Sequence, residues 1–544
     1  MSNPTAIDRT IFAAVAIFFL LALFLWWHFD HSYPFWDGAA HVKDSMAYAR
    51  LIKHAHLFKP EWIKQFLTVN FDYPLTIHAI NGTIKAIIGM GRVSDMVALI
   101  LYQAVLIFSI YKLSVELLKD RLAASLSIVF VCSYPLVSIL SHVPLLETGY
   151  LAFTALGLLG IAHYQGKPSW KSAALMGIAL AFGATSKQIA VVFLIAPCLV
   201  LLGVTLKNRN WLGLGQLSLA AAFPAVALLL WIVPNQKALA AWRDYYKDDP
   251  TLKGGFFTVL AEHVGHYLSG LSSMLSPALL VLTLAALIYF VLKRREQLKA
   301  LFIPLCSSAI GILLISCVAV NKPEQRYVIP VAISAAMLSA ALVSQWFKSA
   351  SKLYKYLGGA VVFFTLLQFI LINYTPYPIP ASNSFVEAVN KIAGHNLRRE
   401  LVEPKAAPTP PGDKWGQEWV IAEIDKVEKG RKATLNIMPS TPDISVHTID
   451  LVCIFANTHI EPSTFRQFTL HGDIVRYDEQ AIKYYPWYLL KSGYQGTATD
   501  CKESADNYDR IIKFVENPAN YQMVGERDLP DGSKLKLYHQ IDKH

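Results

Sequence analysis

Four charged residues border or interrupt apolar stretches of the sequence, and each could act on a substrate at a membrane surface. Two are carboxylates that could serve as general bases: Asp37 in SYPFWDGAAHVKDSMAYARLI and Glu147 in SHVPLLETGYLAF. Two are cations that could hold a phosphate group: Lys187 in GATSKQIAVVF and Arg326 in NKPEQRYVIP. Together these residue types favour acid–base chemistry beside an anionic leaving group.

Each of the four residues also has a purely structural explanation. Asp37 could cap a helix over residues 39–51, since aspartate is a favoured N-cap residue. Glu147 could stabilise the start of a helix through the helix dipole. Lys187 and Arg326 could extend to lipid headgroups without any further role. The local sequence leaves both explanations open.

Further candidates for substrate binding rest on weaker signals. The loop WRDYYKDDP mixes aromatic side chains with both charge signs, which suits sugar stacking and hydroxyl recognition but also an interfacial aromatic belt. The candidates are His142, Trp36, Trp242, Arg243 and Tyr245. A metal could in principle be bound by residues among Asp37, His41, Asp44, His142 and Glu147, but these do not have the close spacing of a metal site, so no metal ligand is predicted.

The elements that must position these residues are predicted to be membrane-spanning helices. Of the 544 residues 54% are apolar and only 16% are charged, whereas soluble domains carry about a quarter charged residues. Residues 375–544 hold 20 basic and 23 acidic residues, and the first 374 residues hold the other 29 and 16. The protein is therefore predicted to have an apolar, basic body and a soluble tail. The basic residues lie in short clusters between apolar runs, so no nucleic-acid partner is expected.

Eleven apolar stretches approach the length of about 20 residues that a membrane helix needs. They are predicted over residues 11–29, 96–116, 122–141, 146–163, 172–186, 189–206, 212–233, 274–292, 301–320, 328–346 and 354–373. The stretch 73–90 is apolar but broken by polar residues, and we expect it not to span. All five basic clusters between spans then fall on one side, which is cytoplasmic by the positive-inside bias. The loops 30–95 and 234–273 and the C-terminal tail lie on the outer face.

The tail is predicted to contain a linker over residues 375–415 and a small α/β domain over residues 416–544. The proline-rich segment EPKAAPTPPGDKWG marks the linker. Periodicity predicts helices in EWVIAEIDKVEKG and SADNYDRIIKFVEN, strands in KATLNIMP and HTIDLVCIFAN, and a hairpin-like segment in PDGSKLKLYHQI, with TFRQFTLHG between them left unassigned. Cys453 and Cys501 could pair in an oxidising compartment.

The first 350 residues resemble the multi-spanning glycosyltransferases of the GT-C superfold. Within that group they are most similar to the glycosyltransferase 39 family, which is related to protein O-mannosyltransferases and bacterial aminoarabinose transferases. The resemblance depends on four segments in order: PFWDGAAHVKDSMAYARLI, SHVPLLETGYLAFTALGLL, GATSKQIAVVFLIAP and NKPEQRYVIPVAISA. It implies a GT-C-like membrane domain over residues 1–374, in a bacterial inner membrane, with the tail extracytoplasmic.

The resemblance also implies a reaction and a set of site residues. The donor would be a sugar on a polyprenyl phosphate, transferred with inversion to an unidentified lipid, glycan or protein acceptor. Asp37 matches the family's catalytic acidic residue and Glu147 the second acidic position. Lys187, Arg326 and Tyr327 fall where such enzymes hold the lipid phosphate. Many members have Asp-Glu where this chain has Asp37-Gly38, which bears on the acceptor class. No cofactor is required, and a divalent cation is optional.

Two other functions compete with a transferase. A lipid or glycan transporter, such as a flippase, would also have many spans and charged residues on its outer face. Transporters often have internal repeats and helices broken near the membrane midplane, and the sequence has no repeated halves. A non-enzymatic scaffold for envelope polysaccharide is the third alternative, and it would not depend on the carboxylate of Asp37.

Overall fold

The computed structural model describes residues 5–247, 256–317, 324–374, 415–441, 443–469, 472–496 and 502–541. Within these ranges the side chains of residues 242–247, 256, 466–469, 472–474 and 502 lie outside the description. The predicted linker over residues 375–415 therefore falls almost entirely outside the described part of the chain, and so does Cys501.

The chain forms two compact units. The first, here called the membrane unit, comprises Met1–His28 and Asp44–Pro408. The second, the C-terminal unit, comprises Phe29–Lys43 and Thr409–His544. The C-terminal unit therefore includes a short segment from the first predicted outer loop, and this segment contains Asp37.

Helices build the described part of the membrane unit, and α2 contributes residues to both units. The helices are α1 (Ala6–Phe29), α2 (Trp36–Lys53), α3 (Pro60–Leu67), α4 (Thr76–Ile88), α5 (Arg92–Leu118), α6 (Arg121–Ser133), α7 (Pro135–Leu140), α8 (Glu147–Gly166), α9 (Trp170–Ser186), α10 (Ala190–Lys207), α11 (Trp211–Lys247), α12 (Phe256–Ser269), α13 (Leu271–Leu275), α14 (Pro277–Lys293), α15 (Arg295–Ala300), α16 (Phe302–Cys317), α17 (Val331–Lys348) and α18 (Lys352–Tyr374). A 3₁₀ turn over Gln325–Val328 precedes α17.

Each of the eleven predicted spans coincides with helical structure, which confirms a multi-spanning helical membrane protein. Six helices in the described ranges are long and apolar enough to cross a membrane: Ala6–Phe29, Arg92–Leu118, Ala190–Lys207, Trp211–Ala241, Val331–Lys348 and Lys352–Tyr374. A seventh candidate is the pair Phe257–Leu275 and Pro277–Lys293, bent by 110° at its break. That the chain crosses the membrane eleven times stays a prediction.

The stretch 73–90 contains α4, a helix of 13 residues. At 1.5 Å per residue α4 is about 20 Å long, whereas the hydrocarbon core of a bilayer is about 30 Å thick. A helix of this length agrees with the expectation that the stretch does not span. It packs closely on α2, because a Cβ atom at Gly82 would lie 2.5 Å from Cβ of Tyr48.

The side chain of Asp120 caps one helix of the membrane unit and joins it to another. The carboxylate of Asp120 accepts hydrogen bonds from the amides of Leu122 and Ala123 at the start of α6. The same carboxylate accepts a hydrogen bond from the Ser344 hydroxyl of α17, at 2.6 Å, and lies 2.5 Å from Nζ of Lys348. Asp120 therefore satisfies amides at one helix start and also holds a second helix against it.

The C-terminal unit is a small α/β domain, as predicted. A five-stranded sheet has the order β2-β1-β5-β7-β6, with β1 parallel to β2 and β5, and with β7 antiparallel to β5 and β6. Its elements are helices α19 (Gln417–Glu428), α20 (Val446–Ala456), α21 (Glu479–Lys483) and α22 (Lys502–Val515), and strands β1 (Ala433–Ile437), β2 (Ile460–Ser463), β3 (Arg466–Thr469), β4 (Gly472–Val475), β5 (Trp487–Lys491), β6 (Tyr521–Asp528) and β7 (Lys534–Gln540). Strands β3 and β4 form a separate hairpin.

One predicted strand of this unit is wrong, because HTIDLVCIFAN lies within the α20 region and is helical. The Ser445 hydroxyl accepts the amide of Thr448 at the helix start, and Asn457 ends the helix in the left-handed region, with φ 53°. Both are recognised helix-boundary residues. The run of β-branched residues favoured a strand, and the caps together with tertiary packing outweighed it.

We expect Gly82→Ala to destabilise the membrane unit by about 1–3 kcal/mol, because the added methyl group would have to displace the backbone of α2. Gly91→Ala is the matched control, since no atom lies within 4 Å of the corresponding position and its φ is −80°. Thermal unfolding in detergent should show a lower midpoint for Gly82→Ala and little change for Gly91→Ala. Equal midpoints for the two variants would contradict this packing argument.

Candidate functional site

A cluster of charged and aromatic side chains lies at the ends of several helices in the membrane unit. Glu147 occupies the first turn of α8, where the positive end of the helix dipole favours a carboxylate. Lys187 lies in the break between α9 and α10, in extended backbone. Arg326 and Tyr327 belong to the 3₁₀ turn before α17. Residues that are far apart in the sequence are thus brought to one place.

The central contact of the cluster is a buried ion pair. Nζ of Lys187 donates a hydrogen bond to Oε1 of Glu147 at 2.6 Å, and their side chains are only 6% and 1% exposed. Nε of Arg326 lies 3.6 Å from the same carboxylate oxygen. Arg326 also donates a short hydrogen bond to Glu324, so two carboxylates face two cations. This balance of charge is what allows the group to be buried, since an unpaired buried charge is costly.

Aromatic rings surround the ammonium group of Lys187. Nζ lies 5.0 Å from the ring centroid of Tyr327 and 5.8 Å from that of Tyr73. The hydroxyl of Tyr150 donates to the backbone carbonyl of Tyr327 at 3.1 Å and so holds the 3₁₀ turn against α8. Cation–π contacts of this kind stabilise a partly desolvated cation without using its N–H donors.

The hydrogen-bonding capacity of Lys187 is not exhausted by the protein. Within the described ranges the one hydrogen bond of its ammonium group goes to Glu147. An ammonium group has three donors, so two remain for an anionic ligand. Arg326, at 21% exposure, supplies a guanidinium group beside it. The arrangement can therefore bind a phosphate oxygen between a lysine and an arginine.

Three residues of this neighbourhood were not singled out by sequence reasoning. Glu324 stands two residues before Arg326 in NKPEQRYVIP, and that acidic–basic spacing was a usable signal. Tyr73 gave no signal, because its ring reaches Lys187 only through tertiary packing. Tyr267 lies on α12, which reaches the 3₁₀ turn through the hydrogen bond from the Gln325 side chain to the His266 carbonyl, at 2.8 Å. It is fully buried, and its hydroxyl has no hydrogen-bond partner in the described part of the chain.

Asp37 lies in the segment that belongs to the C-terminal unit, and it is half-buried. The helix α2 starts at Trp36, whose φ is 39°, so Asp37 occupies the first turn. A carboxylate in the first turn complements the helix dipole, so the structural alternative for Asp37 at the helix start stays open. Trp36 is half-buried at the same helix start.

Of the remaining predicted residues, His142 has a described side chain, and its ring contact lies elsewhere. The ring of His142 is buried and stacks on Trp26, with centroids 4.4 Å apart and an interplanar angle of 6°. This contact gives His142 a packing role between α1 and the turn before α8. Trp242, Arg243 and Tyr245 continue the backbone of α11, and their side chains lie outside the described residues.

Comparison with known proteins identifies the fold. No protein-family model and no curated protein matches the sequence. The apo crystal structure of ArnT from Cupriavidus metallidurans superposes with a TM-score of 0.53 at 15% identity, covering 97% of each chain. The chain therefore has the GT-C fold, to which ArnT belongs. Two further structures are similar along this chain: ArnT from Cupriavidus metallidurans bound to undecaprenyl phosphate (12% identity, 98% of each chain, TM-score 0.49), and the arabinofuranosyltransferase AftD from Mycobacteria (12% identity, 100% of this chain and 40% of that one, TM-score 0.48).

Removing one partner of the Glu147–Lys187 pair should be strongly destabilising. Glu147→Gln leaves Lys187 buried without its nearest counter-charge and should cost about 3–5 kcal/mol. Lys187→Met should cost less, because Arg326 lies 3.6 Å from the same carboxylate oxygen. The double variant should recover part of this loss, giving a coupling energy of about 1–3 kcal/mol in a double-mutant cycle.

The exposed pair Glu296–Lys299, with side chains 84% and 72% exposed, is the control for that cycle. Its coupling energy should lie below about 1 kcal/mol, because solvent screens exposed charges. Unfolding midpoints in detergent measure both cycles. If the coupling energy of Glu147 and Lys187 is no larger than that of the exposed pair, the buried pair does not stabilise the protein more than a surface pair does, and the prediction is wrong.

His142 should make the stability of the protein depend on pH. Burial lowers the pKa of His142 to about 3, whereas the unfolded chain titrates near the ordinary value of 6.5. Between these values the unfolded state binds more protons, so the free energy of unfolding falls as the pH is lowered below 6.5, by up to about 1.4 kcal/mol per pH unit. His142→Phe, which keeps a ring against Trp26, should flatten unfolding midpoints between pH 6.5 and 5. An unchanged pH profile in this variant would contradict the assignment.

Proposed function

We propose that this integral membrane protein is a glycosyltransferase that moves a sugar from a polyprenyl phosphate to an acceptor at the outer face of a bacterial inner membrane. One observation carries the proposal: Lys187 is buried at the meeting point of α8, α9 and α10, is flanked by tyrosine rings and keeps N–H donors for an anion. The GT-C fold supports it. The positive-inside assignment puts this end of the helices on the outer face.

Lys187, Arg326 and Tyr327 are proposed to hold the phosphate of the lipid carrier. As the anomeric carbon–oxygen bond breaks, the bonding electron pair passes to the phosphate oxygen and negative charge develops there. Fixed cations stabilise that charge without having to reorganise during the step. Because these side chains supply the positive charge, the proposal needs no cofactor and leaves a divalent cation optional.

Glu147 is proposed to act through the cations rather than on the sugar. Its carboxylate is 1% exposed and already accepts the Lys187 hydrogen bond. A buried and paired carboxylate is poorly placed to take a proton from an acceptor. We therefore assign Glu147 to positioning Lys187 and Arg326, and this differs from the catalytic role expected from the family resemblance.

Asp37 is proposed as the general base. It takes the proton of the acceptor hydroxyl while the acceptor oxygen attacks the anomeric carbon. One direct displacement gives inversion at that carbon. The half-buried position of Asp37 in the first turn of α2, in the segment Phe29–Lys43, is compatible with access for an acceptor. The C-terminal unit, which contains this segment, is proposed to engage the acceptor.

The test is release of polyprenyl phosphate by the purified protein from a panel of polyprenyl-phosphate hexoses and pentoses, with water taking the place of the unidentified acceptor as the nucleophile. Asp37→Asn should lower turnover by about 10²-fold or more, since a positioned base typically contributes 10²–10⁴-fold. Donor binding should stay near the wild-type value, because Asp37 is assigned to the acceptor. Glu61→Gln removes an exposed carboxylate from the same predicted outer loop and should leave turnover unchanged.

Two results would argue against this function. Tight donor binding with no release from any donor would favour the transporter or flippase alternative. Release that is equally fast in Asp37→Asn and in the wild type would remove Asp37 from the chemistry and reduce it to a helix-terminus residue.

A further inference from the structure

A cavity of the membrane unit lies at the end of α8 that is far from Glu147. The cavity has a volume of about 300 Å³ and is lined by residues from α8, α10 and α16 and from the connections after α8 and α10. Tyr164 lines it and follows Glu147 by 17 positions on the same helix, which corresponds to about 26 Å. The cavity and the Glu147 cluster are therefore at opposite ends of the helices, on the two sides of the predicted membrane.

A proline and a serine determine where α10 and α16 touch. Pro197 lies inside α10 and has no N–H, so the carbonyl of Phe193 loses its helical partner. The Ser307 hydroxyl of α16 donates to that carbonyl at 2.6 Å. A Cβ atom at Gly311 would lie 2.3 Å from the Phe193 ring, so the two helices are in close contact at this level. The cavity begins at Pro197 and continues toward the end of α10.

The cavity has the length and polarity of one membrane leaflet. From Pro197 to Asn208 the helix rises about 16 Å, which is about half of the 30 Å hydrocarbon core. Val200, Leu201 and Val204 line its middle, whereas Asn208 and Asn210 line the end. An apolar groove of this length that ends in amide side chains matches a single acyl chain followed by a polar headgroup.

Three cations are sequence neighbours of residues that line the polar end of the cavity, and a fourth, Lys171, lies four positions after Lys167. Lys167 precedes the lining residue Pro168, and Lys207 and Arg209 are adjacent to the lining residue Asn208. Each of these cations, together with Lys171, is exposed. Arg209 is held in a tight turn with φ 50°, in which the amide of Asn210 donates to the Thr205 carbonyl at 3.1 Å. These side chains have the charge that a lipid phosphate requires.

We propose that this cavity is a binding site for an anionic glycerophospholipid of the leaflet opposite the Glu147 cluster. One acyl chain lies along α10 between Pro197 and Val204, and the phosphate contacts the four cations, here called the basic rim (Lys167, Lys171, Lys207 and Arg209). Basic residues near the cytoplasmic membrane surface attract anionic lipid headgroups, and the positive-inside bias assigns this end of the helices to that surface. The site is separate from the proposed transferase site and does not depend on it.

The test uses purified full-length protein, phosphatidylglycerol and phosphatidylcholine with identical acyl chains, and native mass spectrometry to count bound lipids during titration. The wild type should retain one phosphatidylglycerol in a saturable manner and bind phosphatidylcholine at least about tenfold more weakly, because several cations contribute to the headgroup. Val204→Trp should abolish saturable binding by filling the groove. Leu206→Trp is its control, since Leu206 does not line the cavity and the two side chains are similarly exposed, at 52% and 51%.

The charge contribution is tested separately. Lys167→Gln/Lys207→Gln/Arg209→Gln should weaken phosphatidylglycerol binding by about tenfold or more. Lys352→Gln/Lys355→Gln removes exposed cations from the same predicted side, away from the cavity, and should have little effect. Equal binding of the two lipids, or equal weakening by the two sets of charge variants, would overturn the proposal. Unchanged binding in Val204→Trp would overturn it as well.

Discussion

The buried ion pair between Glu147 and Lys187 is the interaction on which the candidate site depends. It joins the start of α8 to the break between α9 and α10 at a distance of 2.6 Å. Arg326, 3.6 Å from the same oxygen, extends the connection to the 3₁₀ turn before α17. Neither charge could be buried by itself, because desolvation of a lone ion costs several kcal/mol. The positions of these helix ends are therefore mutually dependent.

The same ion pair explains how the buried cation Lys187 can still bind an anionic ligand. Glu147 neutralises Lys187 and fixes its direction but occupies only one of its three donors. The rings of Tyr73 and Tyr327 stabilise the ammonium group through their faces, which consumes no donor. A phosphate could then share Lys187 with Glu147 rather than replace it. Preorganisation of this kind means that the charge is in place before a substrate arrives.

Several features could be predicted from particular residues. The apolar runs identified the helices of the membrane unit, and the stretch 73–90, which we expected not to span, contains the 13-residue helix α4. Glu147, Lys187 and Arg326 could be selected as candidate site residues, because a charged side chain beside an apolar run costs free energy and therefore indicates a functional role. The residues that contact these three could not all be predicted from the sequence. Tyr73 and Tyr267 look like ordinary interfacial aromatic residues in the sequence, and only packing brings them to the cluster.

By itself the sequence determined the composition of the two parts of the chain, the helices of the membrane unit and the sites where charge meets apolar surface. These properties follow from local patterns of hydrophobicity, which depend on residues a few positions apart. The tertiary structure decided that Lys187 and Arg326 both approach one carboxylate oxygen of Glu147. It also decided that Asp37 lies in the segment Phe29–Lys43, which belongs to the C-terminal unit. It also decided that residues 446–456 are helical although they resemble a strand. Such outcomes depend on contacts between residues that are tens or hundreds of positions apart, and periodicity carries no information about them.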